Sequence, residues 1–195
     1  IAAEMGAQRI AQRLLSAEMN IHSEAWKAVD APQSSRDRMA SDIQRYAETA
    51  IENLIFEDRP GIAFSDLRSI ASSHAIDNKI EFMVLDYWQL VTGQERGQNE
   101  AQHLANIAQW LAAFAAKHNV GVIVPAQRNR EGDTRGGDGL KMACDWYCSL
   151  NACESVKGGI WLDVELARNT ESGSMGDDKA PALMIAGYGP RLVDV

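Results

Sequence analysis

Cysteine, proline and aromatic residues are all scarce in this chain of 195 residues, which has three Cys, five Pro and 7% Phe, Trp and Tyr. The cysteines, at 144, 148 and 153, have no histidine beside them. They are too few for a disulfide framework and offer too few ligands for a structural zinc site, so buried, reduced thiols are expected. No stretch approaches the roughly 18 consecutive apolar residues of a membrane span; the richest, Trp110 to Ala116, is closed by Lys117. The opening Ile-Ala-Ala-Glu-Met lacks the basic flank and long apolar region of a secretory signal, which points to a soluble protein that begins within a domain. Basic residues are in the minority, 19 Lys and Arg against 27 Asp and Glu, for a net charge of −8. Contacts to nucleic-acid phosphates would therefore have to come from local clusters, not from a broadly basic surface. Nowhere is there a Gly-x-x-x-x-Gly-Lys-[Ser/Thr] loop, the amide cradle and lysine that hold nucleotide phosphates.

What is present is globular: 46% apolar and 24% charged residues, a length that suits one domain over 1–195 with a continuous core. Met5, Ile10, Leu14 and Leu15 recur at helical spacing, and a second helix is expected over Asp37 to Ala50. Leu54-Ile55-Phe56 reads as a short strand running into the turn Glu57-Asp58-Arg59-Pro60-Gly61, and Ser65 as the N-cap of a helix reaching about His74. Phe82-Met83-Val84-Leu85 is unbroken and stops at Asp86, the signature of a central parallel strand buried on both faces. A polar loop at 92–99 leads into a helix whose stripe is Leu104, Ile107, Leu111 and Phe114, and Val120 to Val124 forms the next strand, so the three make a βαβ unit. Residues 128–141, with glycines at 132, 136, 137 and 139 among charges, read as a mobile functional loop. Strands at Trp146 to Ala152 and Ile160 to Leu166, then a hairpin from Pro181 to Ala186 and Arg191 to Val195, make one end of the sheet antiparallel.

In an open α/β sheet ligands gather at the carboxyl ends of parallel strands. Four polar groups fall there: Glu4, Asp86, Gln127 and the cluster Glu57-Asp58-Arg59. A buried strand ending in Asp has the form of a Walker B element, whose carboxylate holds the water shell of a nucleotide-bound Mg²⁺; a plain turn-capping Asp has the same local pattern. Trp88, Trp110, Trp146 and Trp161 sit in or beside apolar runs and are expected in the core or an interface, while Trp26 lies in a polar stretch. His22, His74, His103 and His118 are dispersed without ligand spacing.

Several of these segments together resemble the DnaB-type replicative helicases, a RecA-like family. Glu4-Met5-Gly6-Ala7-Gln8-Arg9 is similar to the segment after that family's second core strand, and Asp58-Arg59-Pro60-Gly61 with Asp66-Leu67-Arg68 to the turn and helix that follow. Met83-Val84-Leu85-Asp86-Tyr87-Trp88-Gln89-Leu90 resembles its Walker B strand, Pro125-Ala126-Gln127-Arg128-Asn129-Arg130 its Gln-x-Asn-Arg strand, and Ala167-Arg168-Asn169 its Lys-x-Arg-Asn element. These stand in family order from residue 1 to about 170. The resemblance implies a RecA-like, mostly parallel twisted sheet flanked by helices, incomplete at its N-terminal edge.

It also implies roles. Glu4 would polarise the water that attacks the γ-phosphate of ATP, Asp86 would hold Mg²⁺ through water, Gln127 would sense the γ-phosphate, and Arg168 would act as an arginine finger in a neighbouring subunit's site. Such a finger requires a ring, most simply of six copies. Single-stranded DNA would run past the loops 92–99 and 130–142, with Arg96, Arg135, Gly136, Gly137 and Lys141 as candidate contacts, although Asp133 and Asp138 oppose phosphate there. Primase or a helicase loader would be further partners through regions not present here, in the cytoplasm of a bacterial or phage-infected cell, with no membrane. Two departures stand out: the missing phosphate cradle, and Leu166 where the family pattern has Lys. The alternatives are another RecA-like ATPase, such as a recombinase or a KaiC-like switch, or a RecA-like binding module without hydrolysis.

Overall fold

The computed structural model describes all residues except 5, 20–32, 50–52, 130–133, 135, 187–190 and 195. The chain forms two compact units.

The first unit comprises Ile1–Gly6, Glu57–Cys148 and Val164–Ser172. At its centre is a small parallel sheet. Strand β1 (Phe82–Val84) pairs in parallel with β2 (Gly121–Ile123), Phe82 opposite Gly121 and Val84 opposite Ile123. On the other side of β1 the segment Ile1–Ala3 continues the sheet. Ala2 bridges in parallel to both Asp86 and Asp58, through Ala3 N–H to Asp86 O at 2.7 Å, Asp86 N–H to Ile1 O at 3.1 Å and Ala2 N–H to Glu57 O at 2.8 Å. The spatial order is 57–59, 1–3, β1, β2. The strand expected at Leu54-Ile55-Phe56 is displaced onto Glu57–Arg59, and Leu54 and Ile55 are exposed. Ladder pairing uses backbone groups, so an edge segment with charged side chains pairs as well as an apolar one.

Three helices of this unit are α3 (Phe64–Asp77), α4 (Glu100–His118) and α5 (Gly137–Ala143). Helix α4 begins at a reciprocal capping box between Asn99 and Gln102, and ends where Asn119 takes the left-handed conformation (φ 54°). Its stripe Leu104, Ile107, Leu111 and Phe114 is buried as expected, against Leu67 and Ala71 of α3, Met83 and Leu85 of the sheet, and Trp88, whose side chain is wholly inside. Ser65 is not the cap of α3. The Phe64 N–H donates to Thr92 O at 2.8 Å and Ala63 bridges Thr92, which fixes the helix entry two residues earlier, with Ala63 as N-cap.

Two expectations about burial are corrected. Phe82 and Val84 are 68% and 44% exposed, so β1 is covered on the Met83 face alone and alternates as a one-sided strand does. Residues 137–143, expected within a mobile loop, form α5, with Gly137 and Leu140 buried. The glycines there serve close approach. Gly136 has φ 73°, and a Cβ on it would stand 2.8 Å from Leu104 Cδ1; one on Gly139 would stand 3.2 Å from Ala105 Cα. Helix α5 can lie on α4 because those positions lack side chains.

The second unit comprises Ala7–Phe56, Ser149–Asp163 and Gly173–Val195. Helices α1 (Ala7–Met19) and α2 (Gln33–Thr49) lie against each other; α2 begins earlier than Asp37, and α1 buries Leu15 and Ser16 while Leu14 is exposed. Strands β3 (Trp146–Ala152) and β4 (Gly159–Ala167) contribute residues to both units. With β5 (Gly173–Met175), β6 (Leu183–Ala186) and β7 (Arg191–Asp194) they form a sheet in the order β3-β4-β6-β7, β5 pairing with β4. The β4–β6 and β6–β7 pairs are antiparallel, the latter the expected closing hairpin. Among the described residues most named strands therefore belong to a sheet with antiparallel pairs, and the expectation of a mostly parallel sheet is not met. The turns of this sheet are tied by Asp178, whose Oδ1 accepts from Glu154 N–H and Ser155 N–H and whose Oδ2 accepts from Ser155 Oγ–H. The Ser155 bond is the main reason its carboxyl is held below the usual carboxylate range.

Gly136→Ala combines a left-handed backbone with a collision against Leu104 and Trp88, and is expected to destabilise by about 1–3 kcal/mol. Gly61→Ala, where φ is 65° but nothing lies within 4 Å, carries the backbone term alone and should cost about 1 kcal/mol. Urea denaturation midpoints of the two variants check the difference; equal losses would refute the packing role of Gly136.

Candidate functional site

The polar groups assigned from the sequence emerge along one edge of the parallel sheet. Glu4 directly follows the Ile1–Ala3 segment, Asp86 ends the run after β1, and Gln127 lies four residues beyond β2; Glu4 and Gln127 are exposed and Asp86 half-buried. Because all the segments run in parallel, their carboxyl ends fall on the same side, and the backbone bond from Ala3 N–H to Asp86 O at 2.7 Å sets Glu4 and Asp86 on adjacent ends. The fourth end is Glu57-Asp58-Arg59. Here the Asp58 carboxylate lies 3.4 Å from where a Cβ on Gly6 would stand, and the turn through Pro60 and Gly61 opens onto a groove of about 560 Å³ lined by Arg59, Ile62, Asp66 and Ser69.

The Glu57 carboxylate of this edge is engaged by two side chains. Asn78 Nδ2–H donates to His74 Nδ1 at 2.7 Å, which puts the proton of the neutral ring on Nε2, and Nε2–H donates to Glu57 Oε1 at 2.9 Å. Arg59 Nε–H donates to Glu57 Oε2 at 3.2 Å. The His74 bond, then that of Arg59, holds the Glu57 carboxyl below its ordinary value. The i, i+4 spacing of His74 and Asn78 on α3 was visible in the sequence, but nothing there tied them to a residue 17 positions upstream.

Arg168 and Lys141 lie together at α5. Arg168 Nη2–H donates to Met142 O at 2.6 Å, so the guanidinium closes the last turn of α5, where exposed carbonyls favour a cation, and it stands 3.9 Å from Asp145. Lys141 Nζ–H donates to Glu165 Oε2 at 2.6 Å, and the ammonium sits 4.7 Å from the centre of the Tyr147 ring; the Glu165 bond raises the lysine's pKa. The Tyr147 and Thr134 hydroxyls share a hydrogen bond of 2.7 Å. Of the DNA-contact candidates, Arg96 is exposed, Gly136 is half-buried and Gly137 buried; Arg135 lies outside the described residues, as does the expected opposing Asp133.

Elsewhere, Trp88 is wholly buried and Trp110 half-buried as expected, but Trp146 is 59% exposed; Trp26 and His22 lie outside the described residues. His103 is buried, its Nε2 bonded to Val91 O at 3.0 Å. Of the thiols, Cys153 is buried and Cys144 partly so, and burial pushes both upward in pKa; Cys148, expected inside, is exposed. It is a strand position whose side chain alternates outward between its half-buried neighbour Tyr147 and buried Ser149. No described helix is long and apolar enough to cross a membrane.

Residues 1–143 match the family model described as DnaB-like helicase C terminal domain. The replicative DNA helicase DnaB of Rhodothermus marinus is 30% identical over 137 residues, covering 69% of this chain and 14% of that protein. The replicative DNA helicase DnaC of Bacillus subtilis is 26% identical over 128 residues, 65% of this chain and 28% of that protein. The chain thus spans well under a third of these relatives. Among solved structures, an ATPase domain superposes with a TM-score of 0.82 at 18% identity over 100% of this chain and 72% of that one. A DnaB-like replicative helicase, described with its interactions with primase, superposes with a TM-score of 0.80 at 18% identity over 96% of this chain and 48% of that one. These likenesses show the fold.

The lowered pKa of Glu57 gives a stability term with a definite sign. It is fully present above the ordinary carboxyl value of 4.5 and is lost as pH falls through the lower folded-state value. Glu57→Gln is expected to cost about 1 kcal/mol at neutral pH, and its difference from the parent should shrink as pH falls below 4.5 and through the lowered folded-state value. Urea denaturation at stepped pH measures this; a difference that does not change with pH would refute the charged hydrogen bond.

Proposed function

The chain belongs to the DnaB-like helicase C-terminal domain family, and from that premise we propose that it is the part of a replicative helicase motor that couples ATP hydrolysis to movement along single-stranded DNA and duplex unwinding. The observation that carries this reading is the parallel pairing of the segments that Glu4 and Asp86 follow, with Gln127 four residues beyond the next parallel strand, at the carboxyl edge where α/β sheets hold their ligands.

The fit to cofactors is uneven. Asp86 offers a hard oxygen at a strand end, which suits Mg²⁺. Among the described residues no three His, Cys, Asp or Glu side chains gather as a metal site, so the remaining shell would come from water and phosphate oxygens. The phosphates themselves find no Gly-x-x-x-x-Gly-Lys-[Ser/Thr] cradle in these 195 residues, and no hydrolytic step is derived from this chain alone. When bound, Mg-ATP supplies the phosphoryl bond whose cleavage drives movement.

Within a motor that has the cradle, Glu4 orients water and takes its proton from a position in solvent. Gln127 couples the sheet edge to the segment that runs through Thr134 into α5. Arg168 reaches a neighbouring subunit in a ring, most simply a hexamer, and to do so exchanges its bond to Met142 O for phosphate oxygen. Arg96, Arg135, Lys141 and the amides of Gly136 and Gly137 are the DNA-facing candidates; Lys141 would have to leave Glu165 to act. Primase or a loader would join through other parts of the helicase, and the setting would be the cytoplasm. The second reading, a binding module that does not hydrolyse ATP, rests on the missing cradle.

The 195-residue chain is expected to show no Mg-ATP turnover above background; measurable turnover would overturn the account of the cradle. In a longer protein that carries this sequence behind a phosphate-binding loop, Glu4→Gln should lower hydrolysis at least about 100-fold and leave nucleotide binding intact. Arg168→Ala should lower turnover in assembled rings only, and equal loss in monomers would refute action across a subunit boundary.

A further inference from the structure

The outer face of α3 and α4 holds a groove of about 560 Å³ within the first unit. Its lining on α3 repeats at i, i+3, i+4 and i+7 from Ser65, and on α4 at the same helical spacing from Trp110 to His118, so each helix gives it one continuous face. Trp110, Phe114 and His118 line it and belong to a row of ring contacts that Phe64 extends. Phe64 meets Trp110 edge to face at 5.8 Å, Trp110 meets Phe114 at 5.3 Å, and Phe114 meets His118 at 5.0 Å.

Cationic side chains stand at both ends of this row. Arg68 lies over the Phe64 ring at 5.8 Å, and Lys117 stands at the far end. No carboxylate lines the groove, although the chain as a whole carries −8. Among the described residues neither Arg68 nor Lys117 forms an ion pair. From Trp110 to His118 the helix rises roughly 12 Å, so the cations are strung out along a line and do not converge on a point. A single phosphate would use one of them; an extended acidic ligand would use all.

We propose that this groove docks an acidic, amphipathic peptide segment of a partner protein, its aliphatic side chains on the rings and its carboxylates toward Arg68 and Lys117. Helix-in-groove recognition has this form. Nucleic acid fits this groove less well, because base stacking needs free ring faces and these rings are in contact with one another.

The test uses the 195-residue chain and labelled synthetic peptides of about 15 residues, which span the groove with a turn to spare at either end. The panel carries Leu on one helical stripe and Glu elsewhere, with Gln-for-Glu analogues and an oligothymidylate for comparison. Fluorescence anisotropy should show binding by at least one acidic peptide, weakened by salt and lost in its Gln analogue, and weakened at least about tenfold by Arg68→Glu with Lys117→Glu. Amide shifts on binding should map to Ser65–Ser72 and Trp110–His118. Circular dichroism of the doubly reversed variant checks that it folds, and Arg68→Gln with Lys117→Gln provides a milder second variant. Several results would each overturn the proposal: no acidic peptide binds, the Gln analogues bind equally, the variants bind as the parent does, oligothymidylate shifts the same residues more strongly, or the reversal abolishes self-association of the chain, which would assign the groove to a second copy.

Discussion

The parallel pairing of Ile1–Ala3 between Glu57–Arg59 and Val84–Asp86 is the constraint on which the first unit depends. Ala2 bonds to one neighbour, its N–H donating to Glu57 O and its O accepting from Arg59 N–H, while Ile1 O and Ala3 N–H bond Asp86 on the other side, so a short segment with little side-chain mass becomes the centre of a sheet. The bonds fix register, and register fixes which residues leave the sheet together. Glu4, Asp86 and the Glu57-Asp58-Arg59 turn share an edge because their strands are parallel and aligned. Two of the three core residues of that segment are alanines, 4% and 1% exposed, small enough for helices and neighbouring strands to close over them.

Packing of α5 on α4 sets the second half of the candidate site. Gly136 and Gly139 let the two helices approach closely, against the Leu104 side chain and the Ala105 backbone of α4, and the polar groups in and before α5 are met by side chains from β3, β4 and the residue just after β4: Tyr147 toward Thr134, Glu165 toward Lys141, and Arg168 onto Met142 O. Lys141 and Arg168, two of the cations that the family resemblance assigns to DNA or to a neighbouring subunit, are thus satisfied inside one unit. Any role they have outside it is an exchange of partners, in which a new charged contact replaces one of comparable strength.

Charge is distributed with the same economy. The chain is acidic in sum, yet Arg68 and Lys117 share a groove lined by no carboxylate, and Lys117 lies in the last turn of α4, where the macrodipole favours a cation. Lys117 therefore serves the helix terminus and contributes to the groove's positive charge.

Much was legible in the linear chain wherever the signal was local. The stripe Leu104, Ile107, Leu111 and Phe114, the strand Trp146–Ala152 and the final hairpin follow from periodicity and turn chemistry, and the ordered motifs around Glu4, Asp86, Gln127 and Arg168 pointed to the family. Tertiary structure decided what depends on neighbours distant in sequence. The pairing edge moved from Leu54-Ile55-Phe56 to Glu57–Arg59 because backbone bonds do not read side chains. Phe82 and Val84 stayed exposed because α4 packs on one face of β1. The glycines at 136–139 built a helix contact, not a mobile loop, because a missing Cβ has the same spelling whether it serves freedom or close approach. The sequence by itself determined which groups were available and how each segment would fold; which carboxylate met His74, and which carbonyl took Arg168, was decided only when the chain brought residues 17 and 26 positions apart to within hydrogen-bonding distance.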